Sequence, residues 1–360
     1  MRVAIDARLV GRGLGIAQVI TNIVRNLTAD VEVVWLGDPA LAPGDLAGVV
    51  RADRWPYPVL DGPMGRHWAR RACVDLVHFA GNTGWRARGE VPFVLTVQDL
   101  LYLESGVRGR RLRQIVGHRY ARRNVPVAVR SADAVACPST ASADEVAALT
   151  GRRPVVIPYG VDAPLLHAGK TPLPPQAASR GRYAVAFAAR DPRKGVGLAI
   201  DGWRAAEDTS LRLLLLAGGG LPADVVSKVE LAGGRIELQP YLQRPRLLEI
   251  LAGAEALIYP SDSEGFGLPV IEAMALGVPV ISGLNRAVVE VAGDAMLTID
   301  PRDLAGSIGN WLRRLDREPA LRERTIQSGL ERARHYTWTR TAQAYEALYR
   351  EVLTARQAAG

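Results

Sequence analysis

The residues whose types and spacing could do chemistry are concentrated in one stretch, Tyr259-Pro-Ser-Asp-Ser-Glu-Gly-Phe-Gly-Leu-Pro-Val-Ile-Glu-Ala-Met-Ala-Leu-Gly-Val-Pro279. A strand ends at Tyr259 and a polar loop runs to Gly267. A helix begins near Leu268, since Pro269 suits a first-turn position and Gly277 supplies a stop. Such a junction turns the backbone N–H groups of Gly265, Phe266, Gly267 and Leu268 outward from a helix N-terminus, where an anion can sit. Its two glycines allow the close approach that a diphosphate needs. Glu264 lies in the loop, and Glu272, eight positions on, lies one turn into the helix. An acid beside a phosphate-binding turn can accept both hydroxyls of a ribose. The plain alternative is a strand–turn–helix with two solvated glutamates, and a short glycine-containing loop is often no more than that.

A second cluster is Asp191-Pro-Arg-Lys-Gly195. The chain carries a formal net charge of +8, but it has 42 arginines and only three lysines, Lys170, Lys194 and Lys228. That skew reads as a coding bias, so arginine abundance says little about function. It makes each lysine more informative. Lysine offers a compact point charge where arginine offers a wider planar fork, and Lys194 stands in a turn suited to meeting a phosphate. A solvated basic turn is the competing reading.

The elements that must position these residues follow a simple alternation. Strands are expected over 2–6, 32–36, 76–79, 93–97, 134–137 and 155–158, with helical spacing between them, as over 16–27 after Gly11-Arg-Gly-Leu-Gly15. Between 167 and 182 the texture turns to Gly, Pro, Ala and Ser, which marks a linker. The alternation then restarts, with strands over 184–188, 211–217, 235–239, 256–259 and 278–282. Short buried strands alternating with helices predict parallel sheets covered on both faces, so the fold class is α/β with two units in series. A final amphipathic stretch over 337–353 aligns Trp338, Ala342, Tyr345, Leu348, Tyr349 and Val352, a stripe that usually means packing. At 360 residues the chain is long enough for two such domains.

Taken together, Glu264, seven intervening residues and Glu272, within Glu-Gly-Phe-Gly-Leu-Pro-Val-Ile-Glu-Ala-Met-Ala-Leu-Gly-Val-Pro-Val, resemble the signature of family 4 retaining glycosyltransferases with the GT-B fold. Asp191-Pro-Arg-Lys-Gly195 is similar to that family's basic donor loop, and Val155-Val-Ile-Pro-Tyr-Gly-Val-Asp162 to its domain-joining segment. Ala132-Asp-Ala-Val-Ala-Cys-Pro-Ser139 and the Trp338 helix fit as well. The resemblance implies two Rossmann-like domains facing across a cleft. The first spans 1–166 together with a returning C-terminal helix over 336–360, and takes the acceptor. A linker spans 167–181, and a donor domain spans 182–335.

It further implies that Glu264 contacts the donor sugar, Glu272 the ribose and Lys194 the leaving diphosphate, aided by Arg190 or Arg193. Gly15 would leave room for the donor. The reaction implied is transfer of a hexose-type sugar from a GDP- or UDP-sugar to an acceptor hydroxyl, with retention and without a cofactor. Negative charge grows on the departing phosphate and must be met by a positioned cation. No Asp-X-Asp occurs in the sequence, so no metal site is expected and Lys194 would supply that charge. The acceptor would be a carbohydrate, a lipid-linked molecule or a small molecule.

Three positions depart from the family pattern. An arginine expected early in the donor loop falls on Ala188 or Ala189, and Arg190 replaces it only if the loop shifts. Gly15-Ile16-Ala17 stands where Gly-Ile-Gly is usual. Gln98, in Thr96-Val-Gln-Asp-Leu100, occupies the place of a histidine near the reacting sugar, and a glutamine amide can hydrogen-bond a hydroxyl but cannot carry charge or shuttle a proton. Two other readings therefore stay open: an impaired or non-catalytic nucleotide-sugar-binding homologue, and a nucleotide-sugar epimerase on the same fold.

Composition excludes several classes. Apolar residues make up 48% and charged residues 23%, a globular balance, and no apolar run approaches the ~20 residues of a membrane span. The N-terminus enters a strand directly with no signal-peptide pattern, which points to the cytoplasm. Cys73 and Cys137 are expected as free thiols. The charge alone prompts nucleic-acid binding, and no matching module supports it. Residues 106–130 hold eight arginines, His118 and no acid, and Leu112, Ile115, Val116 and Tyr120 share a helical face. That segment reads either as a peripheral contact with an anionic inner-membrane surface or acceptor, or as a solvated helix. His78, at a strand end, reads as a satisfied core histidine ahead of a cleft-lining one.

Overall fold

The computed structural model describes all residues except 12–14, 45, 53–55, 102–111, 163–164, 166–180, 190, 208–209, 218–220, 222 and 360. The chain forms two compact units, one of Met1–Gly160 with Trp338–Gly360 and one of Val161–Thr337. The expected linker lies outside the described residues except for Gly181.

The first unit is built on a parallel sheet of seven strands: β1 (Arg2–Asp6), β2 (Glu32–Gly37), β3 (Gly48–Arg51), β4 (Leu76–Phe79), β5 (Phe93–Thr96), β6 (Ala134–Cys137) and β7 (Val155–Val156). Their order is β3-β2-β1-β4-β5-β6-β7. Val3, Ala4, Ile5, Leu76, Val77, Phe93 and Leu95 are almost wholly buried, because helices cover both faces of a parallel sheet and no solvent-facing alternation is left. The C-terminal helix Trp338–Ala359 belongs to this unit. The aligned residues Trp338, Ala342, Tyr345, Leu348, Tyr349 and Val352 are all buried. Its fastening is also polar: the hydroxyl of Tyr345 meets Thr96 Oγ1 at 2.9 Å, and that of Tyr349 meets His78 Nδ1 at 2.7 Å.

The second unit carries six parallel strands: β8 (Tyr183–Ala188), β9 (Arg212–Ala217), β10 (Ile236–Gln239), β11 (Ala256–Ile258), β12 (Val280–Ser282) and β13 (Leu297–Thr298). Their order is β10-β9-β8-β11-β12-β13. Its core gathers Ala186, Ile200, Trp203, Leu213, Leu215, Ile258, Ile281 and Leu312. Both crossings of the chain between units are tied side by side inside this unit. Val161 pairs with Thr337 in a parallel bridge, and its N–H donates to Tyr336 O at 3.1 Å.

In each sheet the chain winds outward one way and then reverses. The reversal falls between β1 and β4 in the first unit and between β8 and β11 in the second. At such a switch point the loops leaving the carboxyl ends of the two central strands part, and ligands bind in the crevice they open. In the second unit these are the loops after β8 and after β11. They are the two segments that the sequence marks as chemical.

Candidate functional site

The loop after β8 is a tight turn. The Asp191 side chain caps a short 3-10 helix, Pro192–Lys194, by accepting the Arg193 N–H at 3.1 Å. It also takes three contacts from the Arg193 guanidinium, two of them from Nε, at 3.0 and 3.2 Å. Those bonds hold the Asp191 carboxyl below the ordinary carboxylate range. Gly195 closes the turn at φ +62°, and a Cβ there would run into the carbonyl oxygen of Pro260. The two loops therefore touch, and only glycine lets them. Asp262 N–H donates to Arg193 O at 3.0 Å, and Ser261 Oγ donates to the same oxygen at 3.2 Å.

This arrangement brings Lys194 to Glu264. The ammonium lies 2.6 Å from Glu264 Oε1, with the lysine about one-third exposed and the glutamate mostly buried. Tyr259 donates its hydroxyl to the same oxygen at 2.6 Å. Burial, and then the nearby carboxylate, push the Tyr259 phenol well above its usual range, so it stays a donor. Sequence reasoning did not single out Tyr259. The available signal was a tyrosine ending a buried strand five residues before the acid, and a buried phenol needs a hydrogen-bond partner. An ammonium carries three donors, so Lys194 can hold Glu264 and an incoming phosphate oxygen together.

Gly267, at φ +100°, caps the helix Leu268–Ala275, with Pro269 in its first turn. The first N–H groups of a helix have no intrahelical acceptor, and they carry the positive end of its dipole. Leu268 and Gly267 therefore frame an anion-favouring end beside Lys194's turn. Phe266 is buried and its ring packs against Tyr336 at 5.7 Å between centroids. Of the expected donor contacts at Gly265 and Phe266, the phenylalanine can contribute backbone only. Glu272 is nearly fully buried. It pairs with Arg244 at 2.9 Å, and Arg244 pairs in turn with Asp162 at 3.0 Å. The sequence reading anticipated no partner for Glu272.

The other expected residues divide differently. Arg190 lies outside the described residues. Arg193 is engaged by Asp191, so among the described residues the cation beside Glu264 is Lys194. Gly15 begins the helix Gly15–Asn26, and a side chain there would meet nothing within 4 Å. Packing does not demand that glycine, whereas it does demand Gly195.

Gln98 follows β5 and is committed at both ends of its amide. Its Nε2 donates to Ala80 O at 2.9 Å, and its Oε1 accepts the Tyr159 hydroxyl. Its backbone N–H donates to Asn82 Oδ1 at 2.7 Å. Gln98 thus braces the loops that leave β4 and β5, a role for which a neutral amide is suited. His78 has no exposed surface, and Thr96 Oγ1 lies 2.8 Å from its Nε2. Burial lowers its pKa to about 3, so it is a neutral core residue and does not line a site.

One buried cluster gave no clear sequence signal. After β1, Arg8 reaches both Asp6, at 2.8 Å, and Asp61, at 3.0 Å. Asp61 also accepts the Tyr120 hydroxyl at 2.8 Å. Burial outweighs the Arg8 attraction and raises Asp61 to about 6. All three charged groups are buried, so the cluster ties segments together. Tyr120 sits in the helix Leu112–Ser131. On that helix Arg119, Arg122, Arg123 and Arg130 are exposed, and so is Val116. The preceding part of the arginine-rich segment, 106–111, lies outside the described residues. Among the described residues no group of three His, Cys, Asp or Glu side chains is placed to hold a metal ion, and no helix is long and apolar enough to cross a membrane. Cys73 and Cys137 are free thiols.

Comparison with known proteins places each unit. Residues 182–315 match the family model described as glycosyl transferases group 1, and residues 14–164 match the model of glycosyltransferase family 4. The chain is 32% identical over 176 residues to the O-antigen chain mannosyltransferase B of Escherichia coli, covering 46% of each protein. It is 28% identical over 345 residues to a D-inositol 3-phosphate glycosyltransferase of Kineococcus radiotolerans, covering 81% of this chain and 74% of that one. The first curated relatives are matched over less than half of their own length. Solved structures agree along nearly the whole chain. The Anabaena Alr3699/HepE structure in complex with UDP and glucose superposes with a TM-score of 0.70 at 19% identity, covering 97% of this chain and 99% of that one. WaaG, a glycosyltransferase involved in lipopolysaccharide biosynthesis, superposes with a TM-score of 0.70 at 16% identity, covering 96% and 99%.

Proposed function

The chain belongs to the group 1 glycosyltransferases, with its first unit in glycosyltransferase family 4, and on that premise we propose that it transfers a hexose from a nucleoside-diphosphate sugar to an acceptor hydroxyl. In this reading the anomeric configuration is retained and no metal ion is needed. The observation that carries it is the Lys194–Glu264 pair, set 2.6 Å apart at the switch point of the second sheet and beside the N-terminus of Leu268–Ala275.

In the proposed reaction the bond from the anomeric carbon to the diphosphate breaks as the acceptor oxygen bonds to that carbon on the same face. The acceptor's proton passes to the departing phosphate oxygen. Negative charge builds on the diphosphate, and Lys194 with the helix N-terminus stabilises it there. Glu264, oriented by Tyr259, faces the sugar, and Glu272 takes the ribose. Gln98 acts by bracing loops, so the missing histidine does not remove a charge the reaction requires.

A UDP- or GDP-sugar is the donor, the uridine choice being supported by the structural relatives that hold UDP. The acceptor is a carbohydrate, a lipid-linked molecule or a small molecule. Thermal unfolding with UDP, GDP and their glucose and mannose conjugates tests the reading. A ligand at a hundredfold its Kd stabilises the folded state by about 2.7 kcal/mol, so one base should raise the melting temperature clearly above the other. Turnover with that donor should then survive exhaustive chelation. No shift with any of the ligands would overturn the reading, and activity abolished by EDTA and restored by manganese would overturn its metal-free form.

A further inference from the structure

Arg244 stands where an arginine is electrostatically misplaced. It opens the helix Arg244–Ala252, whose first turn holds two arginines and no acid, at the positive end of the helix dipole. No side chain caps that end. Its companion Arg246 is balanced within the helix by Glu249 at 2.6 Å. Arg244 turns instead toward two carboxylates from distant parts of the unit. One is Glu272, nearly fully buried at 2.9 Å, and the other is Asp162 at 3.0 Å. Asp162 lies two residues beyond Gly160, where the chain leaves the first unit.

A buried carboxylate without a cation is costly, and a planar guanidinium fork holds two acids in a fixed relative geometry that the flexible point charge of an ammonium does not impose. Those two carboxylates raise the pKa of Arg244 even though burial opposes it.

We propose that Arg244 is a positioning residue of the nucleotide site: it fixes the carboxylate of Glu272 for the ribose, and Asp162 fixes Arg244. The inference rests on Glu272 being the ribose acceptor, as in the function proposed above. Arg244 itself touches no ligand in this scheme and acts through Glu272 alone.

A double-mutant cycle in nucleotide binding separates the possibilities. The tighter of UDP and GDP is titrated calorimetrically into the wild type, Arg244→Met, Glu272→Gln and the double variant. Coupled neighbours depart from additivity by amounts well above measurement error. Arg244→Met should raise Kd by about tenfold in the wild-type background and by less than about twofold in the Glu272→Gln background. The kcat at saturating donor should change by less than about threefold, because a ribose contact is made alike before and during reaction.

Arg244→Lys keeps a charge but loses the planar fork that fixes both acids at once. It should raise Kd by about threefold, again only when Glu272 is present, and it serves the cycle where the methionine variant does not fold. An unchanged Kd in both folded variants would leave Arg244 a purely structural residue and overturn the proposal. Equal weakening in both backgrounds would overturn it too, by showing that Arg244 meets the ligand directly. If the wild type bound neither nucleotide, the proposed function would fail first, and the inference with it.

Discussion

Replacing Lys194 by alanine removes one ammonium and leaves its neighbours nearly undisturbed, which separates its effect on folding from its effect on catalysis. The Lys194 side chain is about one-third exposed and lies 2.6 Å from Glu264. An ion pair that open to solvent contributes about 1 kcal/mol or less. Glu264 keeps its hydrogen bond from Tyr259, so the carboxylate is not stranded. The melting temperature should therefore fall by only a few degrees.

The catalytic loss is of another size. A donor aimed at charge that develops in the transition state is worth about 2.7–4 kcal/mol, or 10²–10³ in kcat. Binding of the free nucleoside diphosphate should weaken by less than about tenfold, since the full charge demand arises only as the sugar departs. Glu272→Ala is the contrast. In the proposed scheme its contact with the ribose is uniform along the reaction, so donor KM should rise while kcat stays within a few-fold. Initial rates of nucleoside diphosphate release, taken with calorimetry and thermal melts on both variants, give every quantity needed. A Lys194→Ala enzyme with kcat within about threefold of wild type would refute the assignment, as would a Glu272→Ala enzyme with unchanged donor KM.

Two further outcomes follow from the first unit. His78 is buried neutral with its pKa lowered from 6.5 to about 3, so between those values the unfolded chain binds the extra proton and stability falls on acidification. The share of the loss due to His78 should approach about 1.4 kcal/mol per pH unit below 6.5, and the raised carboxyl of Asp61 opposes it below about 6. His78→Phe should flatten that slope in denaturant titrations from pH 7 to 4, despite a lower plateau from the unpartnered Tyr349 hydroxyl and the lost Thr96 contact, and an unaltered slope would contradict the assignment. The exposed Arg119, Arg122, Arg123 and Arg130 motivate a peripheral contact with an anionic bilayer, each contributing on the order of 1 kcal/mol near the surface. Co-sedimentation with phosphatidylserine vesicles should fall steeply with salt, and equal partitioning onto neutral vesicles would leave the helix simply solvated.

Elements that are long, apolar and bounded by turn residues were legible in the sequence. The buried run at β9 and the stripe on Trp338–Ala359 are examples, since burial on both faces of a sheet or along one side of a helix writes its own period. Two strands escaped. Gly48–Arg51 is an edge strand paired only with β2, and its Val49 is exposed, so no continuous apolar run announces it. Leu297–Thr298 has two residues, too few for any period. Strand order was also beyond reach, because nothing local records which strand lies beside which. Yet that order is what places the two chemical loops at one switch point.

The site divides along the same line. Residues that act through backbone geometry were readable, because their types are nearly forced. Gly267, marked in the sequence as a loop glycine ahead of a helix, takes the left-handed conformation that starts that helix, whereas Gly195 is legible only as the end of the basic turn until the structure shows Pro260 crowding it. Residues that act through a partner far along the chain were not. Tyr259 could be seen as the end of a strand, but its bond to Glu264 could not, and Arg244 looked like one arginine among 42. The pairing of Arg244 with Glu272 and Asp162 arises only when three segments, at 162, 244 and 272, converge. A composition that writes arginine for nearly every cation hides such residues, since the letter carries little information there. The same bias exposed Lys194, which stands opposite the mostly buried Glu264 at the switch point. Where arginine is the default, a lysine points to a need for a compact charge that a guanidinium fork meets less well. On that argument Lys194→Arg should recover the stability of the pair with Glu264 but only part of kcat, measured under the same saturating donor as Lys194→Ala. Full recovery of kcat by arginine would show that the site needs charge alone, and the lysine would then carry no special meaning.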